Sequence, residues 1–158
     1  MQIFVVDKDP CKAARMLCDK HVVKMIVESA QILSTVHHLY DSPHKHLIYK
    51  KTHERHPCVL WAGESKVNYL WLLKHFSELI KEYEYRYGKF HKTADLQKTL
   101  EAIPKKLPEI KLTPFAQAIP EIYRQKNAIK AYREFYKKEK SHFAKWTKRN
   151  PPKWFLKD

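Results

Sequence analysis

Residues 11–40 read CKAARMLCDKHVVKMIVESAQILSTVHHLY, and this stretch decides the fold. Small and apolar residues recur in it at steps of three and four, which is the spacing of one face of an α-helix. The residues of this face are Ala14, Leu17, Cys18, Val22, Met25, Ser29, Ile32, Leu33 and Val36. The pattern predicts helix from residue 11 to about residue 40, with a break near Cys18 and with Asp19 capping the second segment.

The residues on either side predict an arm, a loop and further helices. Residues 3–6 form a short apolar run typical of a strand or an extended arm, and residues 37–58 form a polar loop. Pro57 suits the first position of a long helix that ends near residue 87, where Gly88 suits a C-terminal cap. The buried face predicted for that helix is Leu60, Trp61, Val67, Leu70, Trp71, Leu73, Leu79 and Ile80.

The second half of the chain is interrupted by prolines. A short helix is predicted over residues 93–103, a crossing loop follows, and a basic helix is predicted over residues 120–148 before a tail that contains Trp154. The sequence therefore predicts a mainly α protein, a compact single-domain helical bundle over residues 1–158 with a short N-terminal extended arm.

The net charge of the chain indicates the kind of partner that the protein binds. The chain has 31 Lys and Arg against 17 Asp and Glu, a net charge of +14 at pH 7, which favours a polyanionic partner such as DNA. Two glycines in 158 residues exclude glycine-rich phosphate loops and the nucleotide cofactors that such loops bind. No cofactor, membrane segment or obligate protein partner is indicated. Three cysteines give no even disulfide framework, so we expect a reducing compartment, the cytoplasm, and that of the host cell if the chain is viral.

One stripe of polar residues follows the flank of the first long helix. His21, Lys24, Glu28, Gln31 and Thr35 are spaced three or four residues apart. A carboxylate and an amine at this spacing suit chemistry at a sugar: Glu28 would stabilise positive charge, and a partly desolvated Lys24 would attack the anomeric carbon. Spacing alone favours a salt-bridged helix flank, which is the alternative interpretation.

Histidine and cysteine supply another candidate site. His53, His56 and Cys58, with His21, offer nitrogen and sulfur ligands at spacings that a metal-dependent nuclease would use. No paired C-x-x-C motif anchors such a site. The preferred interpretation is that His56 and Pro57 shape the loop and cap the helix that follows.

Basic residues interleaved with aromatic residues indicate DNA contacts, because cations bind phosphates while rings stack on bases. They cluster around residues 82–92 and 145–154. The predicted DNA-binding residues are Lys20, Gln31, Arg55, His56, Asn68, Tyr85, Arg86, Lys89, His91, Lys92, Arg149, Lys153 and Trp154.

The segment Leu17-Cys-Asp19-Lys-His21, followed by Glu28, resembles the first active-site helix of the phage pyrimidine-dimer DNA glycosylases of the endonuclease V type. That family has a Leu-x-Asp-x-His start with its catalytic Glu at the same offset. Residues 78–86, ELIKEYEYR, are similar to a Glu-Leu-Ile-x-Glu-x-x-x-Arg helix of the same family. The chain also resembles viral proteins that carry Asp-Lys-His-Val-Val-Lys-Met and His-Pro-Cys motifs.

The resemblance implies base flipping, cleavage of the N-glycosidic bond and subsequent strand scission in DNA, with Glu28 as the catalytic carboxylate and His21 as the helix histidine. The nucleophile of the phage enzyme is the α-amino group of an N-terminal Thr. Residue 2 here is Gln, whose bulk leaves Met1 in place, so the amine is either that of Met1 or that of Lys24. The arginines that flank the catalytic Glu of the family are missing here, and Val27 and Gln31 stand nearby instead, which leaves the target base open.

Three functions therefore remain. The first is a DNA N-glycosylase, with or without abasic-site lyase activity, that acts on a damaged or modified pyrimidine in DNA, which we expect to be duplex. The second is a basic nucleic-acid-binding protein without catalysis. The third is the His/Cys metal-dependent nuclease.

Overall fold

The computed structural model describes residues 1–157, and within this range it contains helices and loops but no β-strand. The mainly α prediction is confirmed. The α-helices are α1 (Pro10–Met16), α2 (Asp19–Leu39), α3 (Pro57–Ala62), α4 (Lys66–Tyr87), α5 (Gln97–Leu100), α6 (Ala128–Lys140) and α7 (Lys153–Leu156). Short 3-10 helices cover Lys45–Leu47, Lys92–Leu96 and Glu121–Tyr123.

The N-terminal segment is an extended arm, as predicted, and it is part of the core. Residues 3–6 are at most 4% exposed. The arm lies in the hydrophobic core with α2 and α6, so its apolar sequence is explained by burial on all sides.

The predicted break before the second segment is confirmed, but the predicted role of Asp19 is wrong. Cys18 is the N-cap residue of α2 and Asp19 is its first helical residue. The Asp19 carboxylate instead accepts hydrogen bonds from Thr147 N (2.8 Å), Thr147 Oγ1 (2.6 Å) and Arg86 Nη1 (3.0 Å). Asp19 therefore does not cap its own helix but binds Thr147 and Arg86, which lie far away in the sequence.

The predicted long helix over residues 57–87 is two helices. Pro57 starts α3 and Gly88, with φ 62°, ends α4, as predicted. Between them the chain turns at Gly63, and the Ser65 side chain accepts a hydrogen bond from Asn68 N, which starts α4. The turn shifts the helical phase, so Leu60 and Val67 are 53% and 41% exposed instead of buried.

The later helices are shorter than predicted. Residues 93–103 form a 3-10 turn that runs into the single turn of α5, and residues 120–148 are helical only over α6 and the 3-10 turn Glu121–Tyr123. Asn127 caps α6 by accepting a hydrogen bond from Lys130 N (3.1 Å). Beyond α6 the backbone turns, with φ 59° at Lys148.

The core lies where α4 packs against α1 and α2. Its largest fully buried side chains include Tyr69, Phe76, Leu33, Leu72 and Leu79, together with Tyr132 and Tyr136 of α6. Among residues 1–157, no helix has the length and apolar character that crossing a membrane requires.

Candidate active site

The arm places the N-terminal amine on the polar stripe of α2. The Met1 nitrogen lies 3.2 Å from Glu28 Oε1, and the Phe4 ring stacks on His21 with ring centroids 4.4 Å apart. Glu28 and His21 are two helical turns apart, about 10 Å along the axis. Three extended residues span about the same length, so the arm runs antiparallel to α2.

Glu28 lies between two amines with different surroundings. Its second oxygen, Oε2, is 4.0 Å from Lys24 Nζ. The Lys24 side chain is 67% exposed, so the expectation of a partly desolvated lysine is wrong. The Met1 side chain is only 2% exposed, although the residue as a whole is half-buried, so the accessible part of Met1 is its main chain. The amine is therefore held in place by a buried side chain.

Gln2 fixes the position of this amine. Its Nε2 donates a hydrogen bond to Ala118 O (2.6 Å), and its Oε1 accepts one from Tyr132 OH (3.1 Å). Tyr132 is fully buried, and its hydroxyl also lies 2.7 Å from Ala116 O, so its single proton is shared between this oxygen and Gln2 Oε1. The sequence gives no signal for this arrangement, because residues 116–118 and Tyr132 lie more than 110 positions away from Gln2.

His56 and Cys58 lie near the amine and have structural roles. His56 Nδ1 accepts a hydrogen bond from Cys58 N (3.1 Å) and so caps α3, as predicted. Burial, and next the charge of the Met1 amine, lower the pKa of His56. Burial raises the pKa of the Cys58 thiol to about 12, so this sulfur is a protonated, poor metal ligand at neutral pH.

The proposed metal ligands do not converge. The His53 ring shares a hydrogen bond with Thr52 Oγ1 (2.7 Å). Within residues 1–157, no group of three or more His, Cys, Asp or Glu side chains is placed to hold a metal ion. The metal-dependent nuclease therefore has no support in the geometry of these residues.

The loop that contains His53 is tied to α2. Thr35 Oγ1 accepts a hydrogen bond from Thr52 N (3.2 Å), and its single proton is shared between Gln31 O (2.8 Å) and Thr52 O (3.1 Å). These bonds hold the exposed cations Lys51 and Arg55 along the helix that carries Glu28. Thr35, at the end of the predicted polar stripe, is thus a buried anchor for the basic loop.

His21 lies in an aromatic enclosure. Its Nδ1 shares a hydrogen bond of 2.7 Å with Tyr136 OH, and the Phe143 ring meets it edge-on with centroids 5.4 Å apart. Burial, followed by the charges of nearby lysines, lowers the pKa of His21 to about 3, so the ring is neutral at physiological pH. His21 contacts the arm through Phe4 and does not contact the Glu28 carboxylate in this structure.

A family profile described as pyrimidine dimer DNA glycosylase matches residues 1–96. The chain belongs to this family. This match confirms the family resemblance seen in the sequence. Membership identifies the chain as a DNA glycosylase that acts on pyrimidine damage, with DNA as its substrate. No curated protein and no solved structure matches the chain. The matched residues contain the arm and α1 to α4, and therefore Met1 and Glu28.

The residues predicted to bind DNA differ widely in their exposure to solvent. Lys20, Arg55, Tyr85, Lys89, Lys92 and Lys153 are exposed, and Gln31, His56, His91, Arg149 and Trp154 are half-buried. Arg149 binds both carboxylate oxygens of Glu82 (2.7 and 2.9 Å) and lies over the Tyr85 ring, 4.6 Å from its centroid. Of the half-buried members, His91 caps the following 3-10 turn and Trp154 donates to the sulfur of Met16.

The prediction that Asn68 and Arg86 bind DNA is wrong, because both residues are buried. The Arg86 side chain is 0% exposed and donates to Glu82 Oε2 (2.8 Å), Asp19 Oδ1 (3.0 Å) and Arg15 O (2.9 Å). Asn68 Nδ2 donates to Trp61 O (2.7 Å), and its Oδ1 accepts from Thr113 N (3.1 Å). Both residues join distant segments of the chain and are not available to DNA.

Proposed function

We propose that the glycosylase excises its pyrimidine target through the Met1 amine, with Glu28 as the catalytic carboxylate, and then cleaves the strand as an abasic-site lyase. The observation that carries this proposal is the contact of 3.2 Å between the Met1 nitrogen and Glu28 Oε1. An amine and a carboxylate in contact form a nucleophile and base pair of the kind that covalent catalysis requires.

In the first chemical step the Met1 amine replaces the base on the sugar. The neutral Met1 amine attacks C1′, the N-glycosidic bond breaks, and its electron pair leaves with the base, which takes up a proton. Glu28 accepts the proton that the amine loses and stabilises the positive charge that develops on the sugar.

The second step breaks the strand. Opening of the sugar ring, with protonation of O4′, converts the adduct into an iminium ion between Met1 and C1′. This cation acidifies the C2′ proton, whose removal expels the 3′ phosphate. Water then hydrolyses the imine and restores the Met1 amine.

The surroundings of the two amines favour Met1 over Lys24. The Met1 amine is held by its buried side chain and by the hydrogen bonds of Gln2, whereas Lys24 is a flexible, exposed side chain. A fixed nucleophile avoids the entropic cost of being positioned in each reaction. Lys24 then acts as a cation beside the carboxylate and the DNA.

The cations around the site favour binding of duplex DNA. Lys20 and Lys24 lie on the exposed side of α2, Lys140 lies at the end of α6, and Lys51 and Arg55 lie on the basic loop. Phosphate contacts on both sides of Glu28 would hold the strand while the damaged nucleotide is turned out of the helix. The exposed and half-buried residues of the predicted DNA-binding set extend this surface.

Residues beyond the family match support the same active site. Ala118, Tyr132 and Tyr136 lie outside the family match, yet they hold Gln2 and His21 in place. We infer that residues 1–158 act as one DNA-processing domain.

The proposal is tested on a duplex with a single cyclobutane pyrimidine dimer, next to the same duplex without damage, each with and without a chelator. The expected result is cleavage of one glycosidic bond of the dimer, whose base stays joined to its neighbour through the cyclobutane ring, and a strand break at the dimer only. Binding of both duplexes without any product would indicate the non-catalytic binding protein. Activity that a chelator abolishes would indicate the metal-dependent nuclease. Intact mass shows whether the purified chain carries the Met1 amine.

A further inference from the structure

We propose that Tyr136 is a positioning residue of the glycosylase: its hydroxyl fixes the ring of His21, and this ring supports the arm that carries the Met1 amine. This inference rests on the proposed function. Tyr136 is fully buried on α6 and lies outside the residues that the family profile matches. Its contacts nevertheless lead directly to the N-terminal arm.

The hydroxyl of Tyr136 has as many partners as a hydroxyl can bond. It accepts a hydrogen bond from Cys18 N (2.9 Å), and it lies 2.7 Å from His21 Nδ1 and 3.0 Å from Cys18 Sγ. Burial raises the pKa of Tyr136, so the hydroxyl keeps its proton. Because a ring nitrogen is a stronger acceptor than sulfur, this single proton goes to His21 Nδ1.

This hydrogen bond fixes His21 in one tautomer and one orientation. The ring is neutral, since its pKa is lowered to about 3, and a neutral imidazole carries its proton on one nitrogen only. With Nδ1 as the acceptor, the proton of His21 lies on Nε2. Phe143 meets the ring edge-on (5.4 Å), so the ring is held on two sides.

The arm packs on the ring that Tyr136 holds. Phe4 stacks on His21 with ring planes 21° apart, and Tyr136 meets the same Phe4 ring edge-on at 5.3 Å. The segment between Met1 and Phe4 is therefore held at two points, by the hydrogen bond of Gln2 to Ala118 and by the Phe4 stack. A tilt of the His21 ring releases one of them and moves the amine relative to Glu28. Misplacing a reacting group by about 1 Å can cost as much as 100-fold in rate.

A second buried pair of tyrosine and histidine provides a matched control. Tyr69 is fully buried, its hydroxyl donates to Leu100 O (2.6 Å), and it lies 2.8 Å from His37 Nε2. His37 follows His21 on α2 at a distance of about 24 Å along the helix axis. Tyr69→Phe therefore removes the same kind of hydrogen bond as Tyr136→Phe, but far from the ring on which the arm packs.

The test is single-turnover strand cleavage of a duplex with one abasic site, measured over a range of enzyme concentrations to separate the maximal rate from the affinity. Tyr136→Phe is expected to lower the maximal rate by about 10-fold and to leave the half-saturating concentration unchanged. Tyr69→Phe should leave both unchanged. Both variants are expected to lower the melting temperature by roughly 2–10 °C, because each leaves a buried ring nitrogen and a buried backbone group without that partner.

Two further measurements test the route through His21. The variant His21→Phe keeps a flat ring under Phe4 but has no nitrogen to hold, so adding Tyr136→Phe to it should cause no further loss of rate. Nitrogen-15 spectra of the histidine rings, in which the signals of His21 are those absent from His21→Phe, should show its proton on Nε2.

The outcomes separate this proposal from the proposed function. Equal losses of rate in Tyr136→Phe and Tyr69→Phe, or an unchanged rate in Tyr136→Phe, overturn the positioning role of Tyr136. A loss that persists in the His21→Phe background, or a proton found on Nδ1 of His21, overturns the route through that ring. A wild-type chain that does not cleave the abasic site overturns the proposed lyase function itself.

Discussion

Replacing Glu28 by Gln keeps the size of the side chain and removes its charge. The attacked C1′ approaches the Met1 nitrogen to about 3–3.5 Å. Because this nitrogen lies 3.2 Å from Glu28 Oε1, the reacting carbon lies roughly 4–6.5 Å from the carboxylate. At an effective dielectric constant of about 20, a unit charge at these distances is stabilised by about 2.5–4 kcal/mol. A tenfold change in rate corresponds to about 1.4 kcal/mol, so Glu28→Gln is expected to lose a factor of about 10² to 10³.

The assay is single-turnover cleavage of the glycosidic bond in a duplex with one pyrimidine dimer, measured as strand breaks after alkali treatment, with enzyme in excess so that product release does not contribute. The control is Glu84→Gln, since Glu84 is exposed on α4 and takes no part in the site. Affinity for the damaged duplex and the melting temperature are measured for both variants. A Glu28→Gln rate within threefold of the wild-type rate, with folding and binding intact, would refute the role of the carboxylate.

Two further predictions concern stability. Glu82→Gln leaves the fully buried Arg86 side chain without its nearest carboxylate, so we expect the free energy of unfolding to fall by about 3–5 kcal/mol and the melting temperature by roughly 6–20 °C. The control Glu84→Gln should change the free energy of unfolding by less than about 0.5 kcal/mol. An unchanged melting temperature in Glu82→Gln would show that the ion pairs of Glu82 do not hold the segment that carries Arg149. Burial lowers the pKa of His21 to about 3 and those of His37 and His75 to about 4. Below about pH 6.5 the unfolded chain therefore takes up protons that the folded chain does not, and the free energy of unfolding falls by about 1.4 kcal/mol per pH unit for each histidine. Urea unfolding at pH 7, 6 and 5 measures this slope, and equal stability at pH 7 and 5 would contradict the buried, neutral state of these rings.

The local signals in the sequence predicted the helices well. The three- and four-residue spacing gave α2, Pro57 marked the start of α3, and Gly88 marked the end of α4, because these features act within one or two turns of helix. The turn at Gly63 was missed since apolar residues continue through it at nearly helical spacing. The predicted last helix was too long for a similar reason, because its basic residues continue beyond α6.

The candidate site was predictable only in part. Glu28 and the Met1 amine came from a motif and from its resemblance to a family, but their contact depends on an arm whose course the sequence does not show. The hydrogen bonds from Gln2 to Ala118 and from Arg86 to Asp19 join residues 116 and 67 positions apart. Such pairings follow from how the helices pack, so Arg86 resembled a DNA contact although it is a buried structural residue.

The most direct measurement is borohydride trapping on a duplex with a single abasic site, followed by tryptic digestion and mass spectrometry. The predicted result is a covalent adduct on the Met1 amine, in the peptide of residues 1–8, formed equally well by Lys24→Ala. An adduct on Lys24, or strand cleavage at the abasic site without any trapped adduct, would contradict the assignment of Met1 as the nucleophile.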